Sequence, residues 1–226
     1  MGLQPVWLHR PGGAFVIHTD KGEKYINGEQ SILNSQVGAS LSKNKYLTRI
    51  ILGRNGFDNI PFARVQDLDQ AKKFLARQKK IIVKPLKGMG CDDIHVVSEI
   101  NEIEQLDIKK YILEKYIAGQ EMRYLVMNGN VVAVHKSNYG VSVASDRELE
   151  RISIETDEWD AELGEQAIEI SKIFGLGFSA IDYIIDDEGI AHILEVNSAP
   201  GLKWFHAPSE GPPADVARLM LDAFLK

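Results

Sequence analysis

Residues 178–197 read FSAIDYIIDDEGIAHILEVN, and their patterning decides the fold class. Two apolar, β-branched runs, FSAIDYII and HILEVN, flank Asp187-Glu188-Gly189, so the spacing predicts a hairpin of two buried strands. Asp182 lies mid-strand among apolar neighbours. Glu195 and Asn197 are two residues apart and therefore share a face of the second strand. Pairing through the 187–189 turn can bring Asp182 to the same face. A buried, unpaired carboxylate is very costly, so three oxygen-bearing side chains converging there need a cation or strong donors. Mg²⁺ suits such a set, because it takes few carboxylates and completes its octahedron with phosphate oxygens. The alternative is a polar face open to solvent, or a local turn network in which Asn197 and Ser198 cap the chain.

Working outward, residues 160–175 (DAELGEQAIEISKIFG) carry an amphipathic helical pattern with a glycine stop. Upstream, MRYLVMNG (122–129) and NVVAVHKS (130–137) flank Asn128-Gly129, the strongest two-residue hairpin signal in the chain. YILEKYI (111–117), IHVV (94–97) and KIIVKP (80–85) read as further strands, with LKGMGCDD as a glycine-bearing loop. Ser98 with Glu102 starts a short helix. Asp67 caps a helix over DLDQAKKFLARQ. Apolar spacings of three and four predict another helix from Ser42 to Asn55. AFVIHT (14–19) and EKYI (23–26) around Asp20-Lys21-Gly22 predict an N-terminal hairpin, and residues 214–225 a closing helix. Helices and antiparallel strands mix without strict alternation, which argues for an α+β fold in two lobes. The expected division is an N-terminal hairpin and connector (1–41), a first lobe (about 42–113), a hinge (114–121) and a second lobe (about 122–226).

The whole chain has 226 residues, 44% hydrophobic and 26% charged, with 26 Lys+Arg against 32 Asp+Glu and a net charge of −6. That is globular composition. The acidic balance argues against nucleic acid as the main partner, since such affinity rests on excess Lys and Arg. One cysteine, Cys91, excludes an intrachain disulfide framework and a cysteine-based zinc site. No window approaches the roughly 18–20 apolar residues of a membrane span, and His9, Arg10 and Pro11 break the N-terminal apolar stretch before a signal core forms. The expectation is a cytoplasmic protein with no membrane partner.

Against this acidic background, Lys72, Lys73, Arg77, Lys79, Lys80, Lys84 and Lys87 follow one another with no intervening acid. Such a concentration fits an anionic ligand. Lys84 ends an apolar strand beside Gly88 and Gly90, where loop amides can close over a phosphate; a solvated helix face accounts for Lys72, Lys73 and Lys79. LEKYIAGQEMRYLV places Glu114 and Glu121 around a short Gly119 linker. GLGFSA (175–180) satisfies a dinucleotide-binding spacing but precedes a strand, so it fails its context. His95 and His192 sit in strand runs and read as structural, and Cys91 has no histidine relay beside it.

In this order, the residues resemble the ATP-grasp superfamily of carboxylate–amine ligases over roughly four-fifths of the chain, from about Asn44. They are most like the ATP-grasp segment of cyanophycin synthetases and the ribosomal-protein glutamate ligases. NKYLTRIIL is similar to the family's opening helix, whose phosphate-touching lysine is Lys45 or the nearby Lys43. IIVKPLKGMGCDDIHVV resembles its strand–loop–strand unit, with Lys84 as the second phosphate lysine. LEKYIAGQEMRYLV resembles the hinge: by that likeness Glu114 lies at the adenine pocket, the Lys115 carbonyl and Ile117 amide read adenine, and Glu121 binds ribose. GFSAIDYII and ILEVNSAPGL resemble the two metal-strand motifs, with Asp182, Glu195 and Asn197 as ligands.

The resemblance implies ATP and Mg²⁺, two ions, with Mn²⁺ able to substitute. It also implies a ligase that makes an acylphosphate on an amino acid or peptide, transfers the acyl group to an amine, and releases ADP and phosphate. Arg123, Lys136 and the amides at Gly201 are candidates for stabilising the reacting groups, and Ser209 and Glu210 for the acceptor-side substrate. The competing readings are an ATP-grasp phosphotransferase and a non-catalytic ATP-binding module. Family members carry a substantial domain before the opening lysine, whereas 44 residues precede Lys45 here. Trp7, Phe15, Val16, Ile17, Tyr25 and Ile26 offer more apolar surface than two strands bury between themselves. The hairpin is therefore expected at or near a homodimer interface.

Overall fold

The computed structural model describes residues 5–27, 32–57, 60–87, 93–137 and 151–225. At the N-terminus the expected hairpin gains a third strand. Strand β1 (Val6–His9) pairs antiparallel with β2 (Ala14–Thr19), and β2 with β3 (Gly22–Asn27). The Arg10–Gly13 stretch, read from sequence only as an interruption, is the turn that makes β1 possible: the Gly13 N–H donates to the Arg10 carbonyl at 3.1 Å.

The helix expected from Ser42 to Asn55 is α2 (Lys45–Arg54), and a helix not anticipated from the sequence, α1 (Gln36–Ser42), precedes it. Asn44 separates them. It adopts an extended backbone, and its side chain accepts from the Leu47 N–H at 3.2 Å, which is what asparagine does well at a helix start and poorly inside one.

A four-stranded antiparallel sheet follows, built from β4 (Phe62–Ala63), β5 (Ile81–Pro85), β6 (His95–Val97) and β7 (Tyr111–Lys115) in the order β4-β7-β5-β6. Helix α3 (Leu68–Gln78), capped by Asp67 as expected, buries Ala71, Phe74 and Leu75 against Ile81, Val83, Val97 and Leu113. Alternation sends Lys84 and Glu114 to the other face.

Next come β8 (Gln120–Met127), β9 (Asn130–Ser137), β10 (Arg151–Ser153), helix α4 (Ala161–Phe174), β11 (Phe178–Ile185) and β12 (Ala191–Asn197). The strands form a second antiparallel sheet in the order β10-β9-β8-β11-β12. Asn128 and Gly129 both take positive φ, 47° and 76°, the mirror-image turn whose twist matches a hairpin. On one face α4 packs Ala167, Ile170 and Phe174 against Tyr124, Val126, Val134, Ile181, Tyr183 and Val196. Leu52 of α2 enters this same core, so the helix expected to open the first lobe packs with the second sheet. The opposite face is apolar at one end, where Phe205 of α5 (Lys203–His206) and Val216 of α6 (Val216–Leu225) cover Leu125, Ala133 and Phe178. At its other end that face is polar.

The sheets are joined by residues 116–119. Ile117 is buried with Ile60 and Ile184, and Gly119 passes so close to β11 that a Cβ there would lie 2.1 Å from the Ile185 carbonyl oxygen. Gly119→Ala is therefore expected to force backbone movement and cost about 1–3 kcal/mol. Urea denaturation checks this; an unchanged midpoint would contradict the close approach.

Candidate active site

Strands β8, β11 and β12 set one row of charged groups across the polar face. Asp182 lies directly opposite Arg123 on one side and Glu195 on the other. Asn197, opposite Ala180, falls one step along the same face. Arg123 grips Asp182 with both arms of its fork, Nε to Oδ1 at 2.6 Å and Nη2 to Oδ2 at 2.7 Å. Burial works against the guanidinium charge, but Asp182, with Glu121 and Glu195, outweighs it and pushes the Arg123 pKa up.

The register between β11 and β12 jumps after Asp182: Tyr183 opposes Ile193, leaving Leu194 as the extra residue of a bulge. Because β12 is an edge strand, carbonyls at the bulge face outward. Arg49 of α2 takes them, donating from Nη1 to the Ile193 oxygen at 2.5 Å and from Nη2 to the Leu194 oxygen at 3.0 Å. The same guanidinium reaches the first sheet, where Nε and Nη2 donate to the two carboxylate oxygens of Glu114 at 2.8 and 3.0 Å. Lys84 Nζ lies 2.7 Å from Glu114 Oε2.

Arg49, Glu114 and Lys84 are all buried. Burial alone would raise the Glu114 pKa, but Arg49 and Lys84 hold it at about 2. Burial lowers the Lys84 pKa, and Arg49 adds to that, against the pull of Glu114. Two cations thus share one carboxylate. Such an arrangement is complementary to a further anion.

Lys45 joins the row on the second sheet. It is buried at the first position of α2, with Nζ 3.9 Å from Glu195 Oε1. Lys43 instead forms the C-cap of α1. Glu121 is buried on the Arg123 face, one alternation away along β8. Lys115 is exposed at the end of β7, its N–H donating to the Pro61 carbonyl at 2.8 Å. Gly88, Gly90 and Cys91 lie outside the described residues.

Two expectations change. Lys136 pairs with Met122 and Ile152, so alternation puts it on the α4 side of the sheet, opposite Arg123. Ser209 and Glu210 are not brought to the row: the Ser153 N–H donates to the Glu210 carbonyl at 2.9 Å, which fixes this segment beside β10, the far edge from β12. Gly201 is exposed in the turn between β12 and α5. His95 and His192 are structural as read, each 2.8 Å from an aspartate, Asp93 and Asp186.

Sequence reasoning missed Arg49 and His135. A lysine and an arginine four apart, Lys45 and Arg49, on a helix that also buries Leu52 was the available signal for the first. His135 lies opposite Arg123 and is buried, with its ring stacked on Phe205 at 4.1 Å.

The donor set fits Mg²⁺. Asp182, Glu195 and Asn197 carry on one face oxygen atoms of the hard kind that would hold Mg²⁺, and among the described residues no group of three His, Cys, Asp or Glu side chains forms a cage. A site with two carboxylates needs further oxygens from its ligand, which is how Mg²⁺ is held beside phosphates. The Asn197 side chain also accepts from the Ala199 N–H at 2.9 Å, so the local cap named as the alternative is present.

Glu114 ionises well below its ordinary 4.5, so the stability it contributes is full above that value and is lost as pH falls from about 5 towards 2. By linkage that loss is roughly 3 kcal/mol. Glu114→Gln is expected to flatten this part of the stability–pH curve, measured by denaturant titration; an unaltered curve would contradict the pairing.

Residues 42–222 match the RimK-like ATP-grasp domain. The chain is 26% identical over 203 residues to the coenzyme gamma-F420-2:alpha-L-glutamate ligase of Methanococcus maripaludis, covering 83% of this chain and 67% of that protein. It is 24% identical over 272 residues to the cyanophycin synthetase of Nostoc sp., covering 82% of this chain and 29% of the other. A bifunctional glutathione synthetase from Pasteurella multocida superposes with a TM-score of 0.71 at 15% identity, covering 98% of this chain and 42% of the other, and this likeness shows the fold. With a match over most of its length, two lobes of mixed helices and antiparallel sheets and the opening helix between them, the chain belongs to the RimK-like ATP-grasp family.

Proposed function

We propose that this chain is an ATP-dependent carboxylate–amine ligase acting through an acylphosphate on an amino acid or peptide. The observation that carries the reading is the adjacency of the cation-rich Arg49–Glu114–Lys84 cluster and the Arg123–Asp182–Glu195 row, linked by the bonds of Arg49 to the Ile193 and Leu194 carbonyls beside Glu195. A metal–triphosphate is negative along its phosphates and positive at its ion, and these two groups are its complement. The ligase names of the relatives support the same reading. The cytoplasm, where ATP is abundant, is the proposed location.

Lys45 and Lys84 hold phosphate oxygens, and Glu114, locked by Arg49, aims Lys84. Glu121 faces the ribose, and the backbone at Lys115 and Ile117 the base. Asp182, Glu195 and Asn197 would hold Mg²⁺, which supplies neutralisation of the triphosphate. An oxygen of the substrate carboxylate attacks the γ-phosphorus, and the bond to the ADP oxygen breaks. The amine nitrogen then attacks the acyl carbon, loses its proton, and expels phosphate. Two of the five Arg123 N–H donors engage Asp182; the others suit the negative charge that develops during acyl transfer.

Glu195→Gln is expected to abolish metal-dependent ATP turnover, and Lys84→Ala to weaken ATP binding at least tenfold with adenosine binding little changed, both read by calorimetry and ADP release. ADP release that requires a carboxylate and rises with an added amine supports the ligase. Amine-independent release with a stable phosphorylated product would identify a phosphotransferase, and no release at all a binding module.

The homodimer remains part of the proposal. Strand β1 is an edge strand with Val6, Trp7 and Leu8 exposed, a ready pairing template. Light scattering at micromolar concentration is expected to show a dimer that deletion of residues 1–30 shifts towards monomer; a monomeric intact chain would exclude it.

A further inference from the structure

A cavity of about 570 Å³ lies at one end of the four-stranded sheet, outside the site described above. Its walls are the first turn of α2 (Asn44, Tyr46, Leu47), the exit of β5 (Pro85, Leu86, Lys87), and Tyr111 with the preceding Lys109 and Lys110. Lys84 does not line it. That residue is buried on the other face of β5 from Pro85.

The charged lining is Arg64, Lys87, Lys109 and Lys110 against a single carboxylate, Asp93. Asp93 is already engaged: one oxygen lies 2.8 Å from His95 Nε2, and the other accepts from the Tyr111 hydroxyl. Arg64 is held over the Tyr46 ring, 5.8 Å from its centroid, and Tyr46 in turn packs edge-on against Phe62 at 6.0 Å. Lys110 lies 3.3 Å from Asp107, but that pair is solvent-exposed and therefore weak. In a protein of net charge −6, four cations around one concavity are a local inversion of sign, and their mutual repulsion is relieved by an anion.

The distribution of these groups narrows the ligand. The cations come from separate elements, with Arg64 just past β4, Lys87 just past β5, and Lys109 and Lys110 just before β7. Between them lie Tyr46, Leu47, Pro85, Leu86 and Tyr111, which offer apolar contact to side-chain stems. A single compact phosphate meets one cation pair; several carboxylates along a chain meet all of them. We propose that this cavity binds an acidic peptide segment through two or more of its carboxylates. This binding does not require the ligase reading.

The test is fluorescence anisotropy of labelled tetraglutamate on the intact chain, with saturating ADP and Mg²⁺ present to keep the probe from the lysines of the main site. The expected result is binding that weakens as salt rises, and weakens at least tenfold in Lys109→Glu/Lys110→Glu and in Arg64→Glu. Lys72→Glu/Lys73→Glu, on exposed positions of α3, should stay within twofold of the unaltered chain. No binding of tetraglutamate, equal binding of tetraglutamine, or equal loss in the α3 control would each overturn the proposal. So would binding of tripolyphosphate without tetraglutamate, which marks a phosphate site. Failure of ADP to bind would count against the proposed function and leave the comparison among peptide probes readable.

Discussion

One guanidinium, that of Arg49, accepts the task of joining the two sheets. Its donors meet both oxygens of Glu114 on β7 and two carbonyls at the β12 bulge. A buried arginine persists only when its charge is paired and its donors are used, so this one side chain ties α2, β7 and β12 together. Leu52, one turn along α2, fixes the same helix in the apolar core. Lys45, one turn in the other direction, is thereby delivered to Glu195.

The consequence is a separation of charge. The Arg49–Glu114–Lys84 cluster holds two cations for one carboxylate, while the row on the second sheet, with Lys45 and Arg123, faces Asp182, Glu195 and Glu121. Neither group is balanced alone. The Arg123–Asp182 pair shows how the protein limits the cost: the buried carboxylate is held bidentately, while Glu195, with its side chain 34% exposed, keeps access to solvent. A ligand carrying phosphates and a divalent ion meets both imbalances at once.

Much of this was legible in the sequence because local rules act over short distances. The Asn128-Gly129 turn, the Asp67 cap and the Gly175 helix stop follow from what two to four neighbouring residues prefer. Period-two alternation placed Glu195 and Asn197 together, and the hairpin register added Asp182. Arg49 was not legible, because its partners are 65 and 144 residues away in sequence and two of them are backbone oxygens that a bulge turns outward. Lys136 was misplaced for a simpler reason: its neighbour His135, not Lys136 itself, is paired with Arg123. Ser209 and Glu210 follow the metal-strand motif closely in sequence, yet α5 and the proline-bearing segment carry the chain across the sheet to β10. Nothing in residue order reveals such a crossing.

The central claim is that Arg49 leaves Lys84 as a surplus cation for phosphate by occupying Glu114. It is tested most directly by calorimetric ATP affinity in a double-mutant cycle. Arg49→Met alone lets Glu114 cancel Lys84, and ATP affinity should fall at least tenfold. Adding Glu114→Gln frees Lys84 again, and much of that affinity should return in the double variant, with adenosine affinity nearly constant throughout. A double variant as weak as, or weaker than, Arg49→Met would contradict the account.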